Sequence, residues 1–189
     1  MDAIELLKTR ASNGKLTEPA PDDATLQLAL EAAARAPDHA ALRPWRVHFV
    51  RGAARERLGQ LMADAAQRIN PDASEDELRK TSAKALRAPL LIVVTAVVKP
   101  HPKVPEIEQV MTAATAAHAI LLVLQARGYG ALWRTGPAAY DPAVKRAFGL
   151  GATDSLVGVI YAGTPTQAAP PLLRPAPRDF ASEWSGSSG

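Results

Sequence analysis

The chain contains no cysteine. That excludes disulfide bridges, a thiolate nucleophile, iron–sulfur ligation by cysteine and the common cysteine-rich zinc sites. Aromatic residues make up only 5% of the 189 residues, and no run of lysine or arginine exceeds two. The basic stripe interleaved with aromatics that serves a nucleic-acid surface is therefore missing. Formal net charge is only +3, with the charges scattered. Long hydrophobic runs are missing too: Leu90 to Val98 is too short to cross a bilayer as a helix. Asp2 and Glu5 stand where a secretory signal would carry basic residues ahead of an apolar stretch. From these absences we expect a soluble, cytoplasmic protein with no nucleic-acid partner and no membrane partner.

Proline, by contrast, is plentiful at 16 residues, and it punctuates the chain. Asp2 with Glu5 reads as a capping box opening a short helix. Asp22 or Asp23 caps a second helix, whose Leu26, Leu30, Ala33 and Ala34 share a face and which must stop by Pro37. Trp45 to Val50 alternates as a half-buried strand, with Trp45, Val47 and Phe49 on the apolar side. Ala53 to Ile69 is helical and ends at Asn70-Pro71; Ser74 with Glu77 is a second capping box, starting a helix to about Leu86. Leu90-Leu91-Ile92-Val93-Val94 reads as a central strand covered on both faces. Pro105 opens a long helix to about Arg127, nearly all apolar or small from Met111 to Leu124 and expected to be buried on most sides. A strand from Ala131 to Arg134, a short helix from Asp141-Pro142 to Gly149 and a strand from Leu156 to Ala162 follow. Past Thr164 the prolines at 165, 170, 171, 175 and 177 forbid a regular helix and leave an extended arm with a frayed Ser/Gly end. The pattern is α+β. Residues 1–165 read as one domain, with 166–189 as its C-terminal arm.

Familiar catalytic signatures are missing: there is no G-x-S-x-G elbow, Walker-A loop or Rossmann glycine fingerprint. The four histidines show no metal-ligand spacing, so no metal site is expected. His118 reads as a core or interface residue on the apolar helix, and His48 and His101 as structural or exposed. What remains is cations at turns. Arg10 and Ser12, followed by Lys15, lie just past the first helix, where a guanidinium fork and a hydroxyl suit a phosphate. Arg35 and His39 flank Pro37 at a helix end, and Trp133-Arg134-Thr135-Gly136 closes a strand.

In this order these segments resemble the nitroreductase family of FMN flavoproteins, in particular its compact NAD(P)H nitroreductase subgroup. The likeness is carried by residues 1–7 with Arg10 and Ser12, Glu18-Pro19-Ala20-Pro21, Arg35-Ala36-Pro37-Asp38-His39 and Pro44-Trp45. It continues through Arg87-Ala88-Pro89-Leu90, Lys103-Val104-Pro105, Glu108-Gln109, Trp133-Arg134-Thr135-Gly136 and Gly163-Thr164-Pro165. The resemblance implies a central, mostly antiparallel sheet of four to five strands flanked by helices, with the long buried helix at a homodimer interface. It implies FMN as cofactor, held by Arg10, Ala11, Ser12, Arg35, His39, Trp133, Arg134, Thr135 and Gly136. Arg35 and His39 would come from the other subunit, and Val123 to Gly128 would touch the nicotinamide nucleotide. The implied activity is ping-pong hydride transfer from NAD(P)H to nitroaromatic, quinone or similar planar small-molecule oxidants, with no side-chain acid or base required. A flavin-binding or redox-sensing dimer without significant turnover is the alternative. Three positions depart from the pattern. Ala11 stands where relatives carry a second arginine, Arg43 replaces a glutamine, and a lysine expected after Pro165 is absent. Arg174 or Arg178 of the arm is the available substitute for that lysine.

Overall fold

The computed structural model describes residues 2–169 and 171–186; Met1, Pro170 and the final Ser/Gly residues 187–189 lie outside them. The helices are α1 (Ala3–Thr9), α2 (Asp23–Ala33), α3 (Ala53–Ile69), α4 (Glu75–Ser82), α5 (Glu106–Ala126) and α6 (Pro142–Ala147). The strands are β1 (Leu16–Thr17), β2 (Trp45–Arg51), β3 (Leu90–Ala96), β4 (Gly130–Arg134) and β5 (Ser155–Pro165). All strand pairs are antiparallel. β2 pairs with β3, and β3 with β5; the far edge of β5 pairs first with β4 and then with the two-residue β1.

Local chemistry explains most boundaries. Asp22 caps α2, its carboxylate accepting from Thr25 N–H at 2.7 Å, and Ser74 and Glu77 form the expected reciprocal box on α4. α4 ends at Ser82 and tightens into a 3₁₀ turn, Ala83–Leu86, where one continuous helix was expected. At α1, Asp2 accepts from Ile4 N–H at 3.4 Å; no bond from Glu5 back to Asp2 forms among the described residues. Among its described residues, the arm beyond β5 contains a single 3₁₀ turn, Pro177–Asp179.

Strand alternation divides the interior in two. Leu90, Ile92 and Val94 of β3 join Ile160 and Ala162 of β5 against α2 and α5. Their neighbours Leu91, Val93 and Tyr161 face the opposite side, toward α3 and α6. β3 is buried along its whole length; each of its large aliphatic side chains contributes roughly 1.5–3 kcal/mol by leaving water. The sheet is thus a rigid middle layer.

Two expectations change. α5 was expected to be covered on most sides, yet one face carries its eight buried residues, from Gln109 to Leu124. Ile107 and Met111 on the other face are 62% and 60% exposed, and Thr115 and His118 are exposed beside them. By length and composition alone α5 could cross a bilayer; its packing against the sheet makes it a core helix. β2 shows apolar contacts on both faces. Trp45 and Val47 pack on the α2/α5 side and Val50 on the other, while Phe49 is exposed under the Arg51 guanidinium. His48 is half-buried against Phe148, and burial pushes its pKa down.

The turn between α2 and β2 is held by its own side chains. Asp38 accepts from Leu42 N–H at 3.2 Å and Arg43 N–H at 2.7 Å, and Lys99 Nζ donates to Leu42 O at 2.6 Å. Ala40, Ala41 and Arg43 all have positive φ, a conformation that non-glycine residues keep only when surrounding contacts enforce it.

Candidate active site

The end of β4 is where chemistry gathers, and alternation decides what reaches it. Ala131 and Trp133 point to the α5 side, whereas Leu132 and Arg134 point to the α3 side. Trp133 lies tight on β5: a Cβ on Gly158 would sit 1.9 Å from the indole Nε1. Its side chain therefore braces the strand from behind. Arg134, with Thr135 and Gly136 after it, faces open space.

Two clefts meet there, sharing Arg134 and Tyr161. The larger, about 680 Å³, is lined by Ser12, Lys15, Arg87 and Thr166. The smaller, about 410 Å³, lies between α3, α4 and the Thr135–Gly136 backbone. Ser12 and Lys15 are placed by a fixed segment. Ala11 N–H donates to Gln125 Oε1 at 3.1 Å, Asn13 N–H to Ala131 O at 2.8 Å, and Lys15 O accepts from Thr166 N–H at 2.9 Å. Asn13 Oδ1 also accepts from Lys15 N–H at 3.0 Å. The chain after α1 is thus laid along β4 and β5.

The electrostatics of the larger cleft are one-sided. Lys15, Arg87 and Arg134 line it, no carboxylate does, and none of the three forms an ion pair among the described residues. Unpaired cations converging on one recess draw an anion. Tyr161 is buried, and burial pushes its phenol pKa up against the opposing pull of Arg134 and Arg87; it stays a neutral hydroxyl. Gly136 has no atom within 4 Å of where a Cβ would stand, so a flat ligand can approach its backbone closely.

Arg134, Thr135, Gly136 and Ser12 are thus brought together, while the other sequence-predicted residues lie elsewhere. Ala11 lines a separate recess beside Gln125 and Tyr129. Arg10 lines neither cleft, but its carbonyl accepts from Arg174 Nη2 at 2.8 Å, so the arm delivers a second guanidinium to this segment. Arg35 and His39 lie at the α2–β2 turn, where His39 Nδ1 and Glu108 Oε2 are 2.9 Å apart. Within this chain they do not line the two clefts. Arg87, Tyr161 and Lys84 line the clefts without having been singled out from the sequence, and Lys15 was noticed only as a nearby cation. Arg87 lies in the quoted Arg-Ala-Pro-Leu string and Tyr161 in a strand; nothing local marks Lys84.

Comparison with solved structures identifies the fold. A nitroreductase-like family protein from Bacillus cereus superposes with a TM-score of 0.83 at 23% identity, covering 98% of this chain and 97% of its own. A nitroreductase with bound FMN from Bacteroides fragilis superposes with a TM-score of 0.72 at 18% identity, covering 98% and 100%. The fold is the nitroreductase-like α+β fold. At the sequence level, the protein named "Putative NAD(P)H nitroreductase YdjA" of Escherichia coli (strain K12) is 38% identical over 181 residues, 95% of this chain and 98% of that protein. The model described as "Nitroreductase family" matches residues 7–164. This chain belongs to the nitroreductase family, and it is an oxidoreductase.

Proposed function

We propose that the protein is an FMN-dependent NAD(P)H oxidoreductase that reduces nitroaromatic, quinone or similar planar acceptors. The observation that carries this reading is the larger cleft, with its three unpaired cations, its hydroxyls and no acid. FMN is a flat ring system on a phosphorylated chain, and the residues present fit it. When bound, it supplies the two-electron carrier chemistry, while the protein supplies position and electrostatics. Ser12 and Lys15, with Arg10 and the arm's Arg174 behind them, would hold the phosphate and ribityl chain. Arg134 and the Thr135–Gly136 backbone would line the ring and favour negative charge on it. Trp133 would keep that segment in register from the far face of the sheet.

Two half-reactions would alternate in one site, as in a ping-pong scheme. NAD(P)H gives up a hydride and leaves, then the acceptor enters. For a nitro group, that hydride plus one proton from solvent yields the nitroso compound and water. The uncovered face of α5, with Ile107 and Met111, supports a homodimer, in which Arg35 and His39 of each subunit would reach the partner's site. In the same reading residues 166–189 form an arm of a single domain, and the protein works in the cytoplasm.

The test is purification, FMN reconstitution and anaerobic titration with NADH and NADPH. A yellow protein bleached by either nucleotide and recoloured by a nitroaromatic supports the reading. A protein that takes up no FMN refutes it. Bound FMN that reacts only slowly, with oxygen alone, would favour the flavin-binding or sensing alternative.

A further inference from the structure

We propose that the cleft between α3 and α4 selects acceptors that carry an acidic group, with Lys84 receiving the acid and the apolar wall receiving the ring. This rests on the reductase reading and specifies its substrate class. The wall is supplied by Met62, Ala66, Ile69 and Leu78; Ile69 is 59% exposed, an aliphatic side chain left uncovered at the rim. Small-molecule sites combine such walls with a few placed polar groups that set orientation. Here the placed group is Lys84, whose Nζ, among the described residues, donates only to the neutral Thr81 Oγ1, at 3.3 Å.

Charge balance favours an anion. The cleft has two cations, Arg134 on the flavin side and Lys84 on the acceptor side, and a single carboxylate, Glu77. Glu77 stays ionised but is turned to the α4 cap, its Oε2 accepting from Ser74 N–H at 2.9 Å and Ser74 Oγ at 2.8 Å, and it forms no ion pair with Lys84 among the described residues. Lys84 also stands on firm backbone. Ala85 beside it is fully buried, and Gly59 lets α3 approach the end of α4 so closely that a Cβ there would lie 2.5 Å from Ser82 O. A cation fixed beside an apolar recess discriminates by charge better than one on a mobile loop. Because Arg134 and Tyr161 belong to both clefts, a ring seated here adjoins the Thr135–Gly136 backbone, where the flavin ring would lie.

The experiment compares 4-nitrobenzoate with 4-nitrobenzyl alcohol, which keep the same ring and nitro group. FMN-loaded wild type, Lys84→Met and Lys84→Arg are assayed, with FMN content and circular dichroism confirming folded holoprotein. Wild type should favour the acid by about tenfold in kcat/KM, the size of one charge-assisted contact. Lys84→Met should reduce that preference to about twofold or less, and Lys84→Arg should retain most of it. Equal use of the two acceptors by wild type, or a preference unchanged in Lys84→Met, overturns the proposal. It is also overturned if Lys84→Met raises the KM for NAD(P)H and leaves the acceptor ratio alone, because the lysine then serves the nucleotide phosphates. If the holoprotein reduces neither compound but is bleached by NAD(P)H and recoloured by a quinone, this proposal alone fails; if neither nucleotide bleaches it, the reductase reading fails and takes this proposal with it.

Discussion

Replacing Asp141 tests how the segment beyond the candidate site is anchored. Asp141 caps α6, its Oδ1 accepting from Ala143 N–H at 2.9 Å and Val144 N–H at 3.0 Å. The same carboxylate takes two bonds from Arg68 at the end of α3, Nε to Oδ2 and Nη2 to Oδ1, both 2.9 Å. The Arg68 guanidinium, helped by the two N–H groups, lowers the carboxyl from 3.8 to about 2, although burial pulls the other way. A displacement of that size corresponds to about 2.4 kcal/mol at neutral pH. The Arg68 side chain is 48% exposed, so water screens part of the attraction and about 1–2 kcal/mol is the safer figure for the pair. Losing the cap adds about 1 kcal/mol. Asp141→Ala should therefore destabilise the protein by about 2–3 kcal/mol and Arg68→Ala by less, with strong coupling in the double variant.

The pH dependence has a definite sign. A carboxyl whose folded pKa lies below its unfolded value contributes stability above the unfolded pKa and loses it as pH falls through the folded one. For Asp141 that window runs from about pH 4 down to about pH 2. Urea denaturation followed by circular dichroism, at pH 7 and across that acid range, reads both effects. The reasoning is refuted if Asp141→Ala lies within about 0.5 kcal/mol of wild type, or if Asp141→Asn shows the same acid slope as wild type. Because the 3₁₀ turn Pro137–Tyr140 links Gly136 to Asp141, the alanine variant should also bind FMN more weakly.

Gly158→Ala would drive a methyl into the Trp133 indole; a loss of about 1–3 kcal/mol is expected, with a shifted tryptophan emission. Wild-type stability and an unchanged emission spectrum would show that Trp133 is not seated there. Met111→Glu places a charge on the uncovered face of α5 and should convert a dimer to folded monomers in sedimentation velocity. A wild-type protein that sediments as a monomer would refute the homodimer, and a variant that stays dimeric would move the interface off α5.

Much of the fold was legible because its elements announce themselves locally. α3 occupies the span expected from its periodicity and its Asn70-Pro71 stop. The unbroken apolar run of β3 foretold burial on both faces, and the Ser74–Glu77 spacing foretold a reciprocal cap. β1 was not legible, since two residues carry no period and Leu16–Thr17 becomes a strand only by pairing with β5. How much of α5 its own chain would leave uncovered was not legible for a related reason. Composition says a helix is apolar but not how much of it one chain covers.

The site shows the same division. By itself the sequence determined the family resemblance, the cations at turns and the Trp133–Gly136 strand end. Alternation along β4 meant that Trp133 and Arg134 would face opposite ways, but not which would meet the core. The packing of Trp133 onto Gly158 settled that and left Arg134 for the clefts. Only the tertiary structure joined Ser12 and Lys15, Arg87, Arg134 and Tyr161 around one recess, or tied Asp141 to Arg68 across 73 positions. The physical reason is that local chemistry sets dihedral angles and caps, whereas an anion-drawing cleft arises when distant segments share a surface and their charges find no partners.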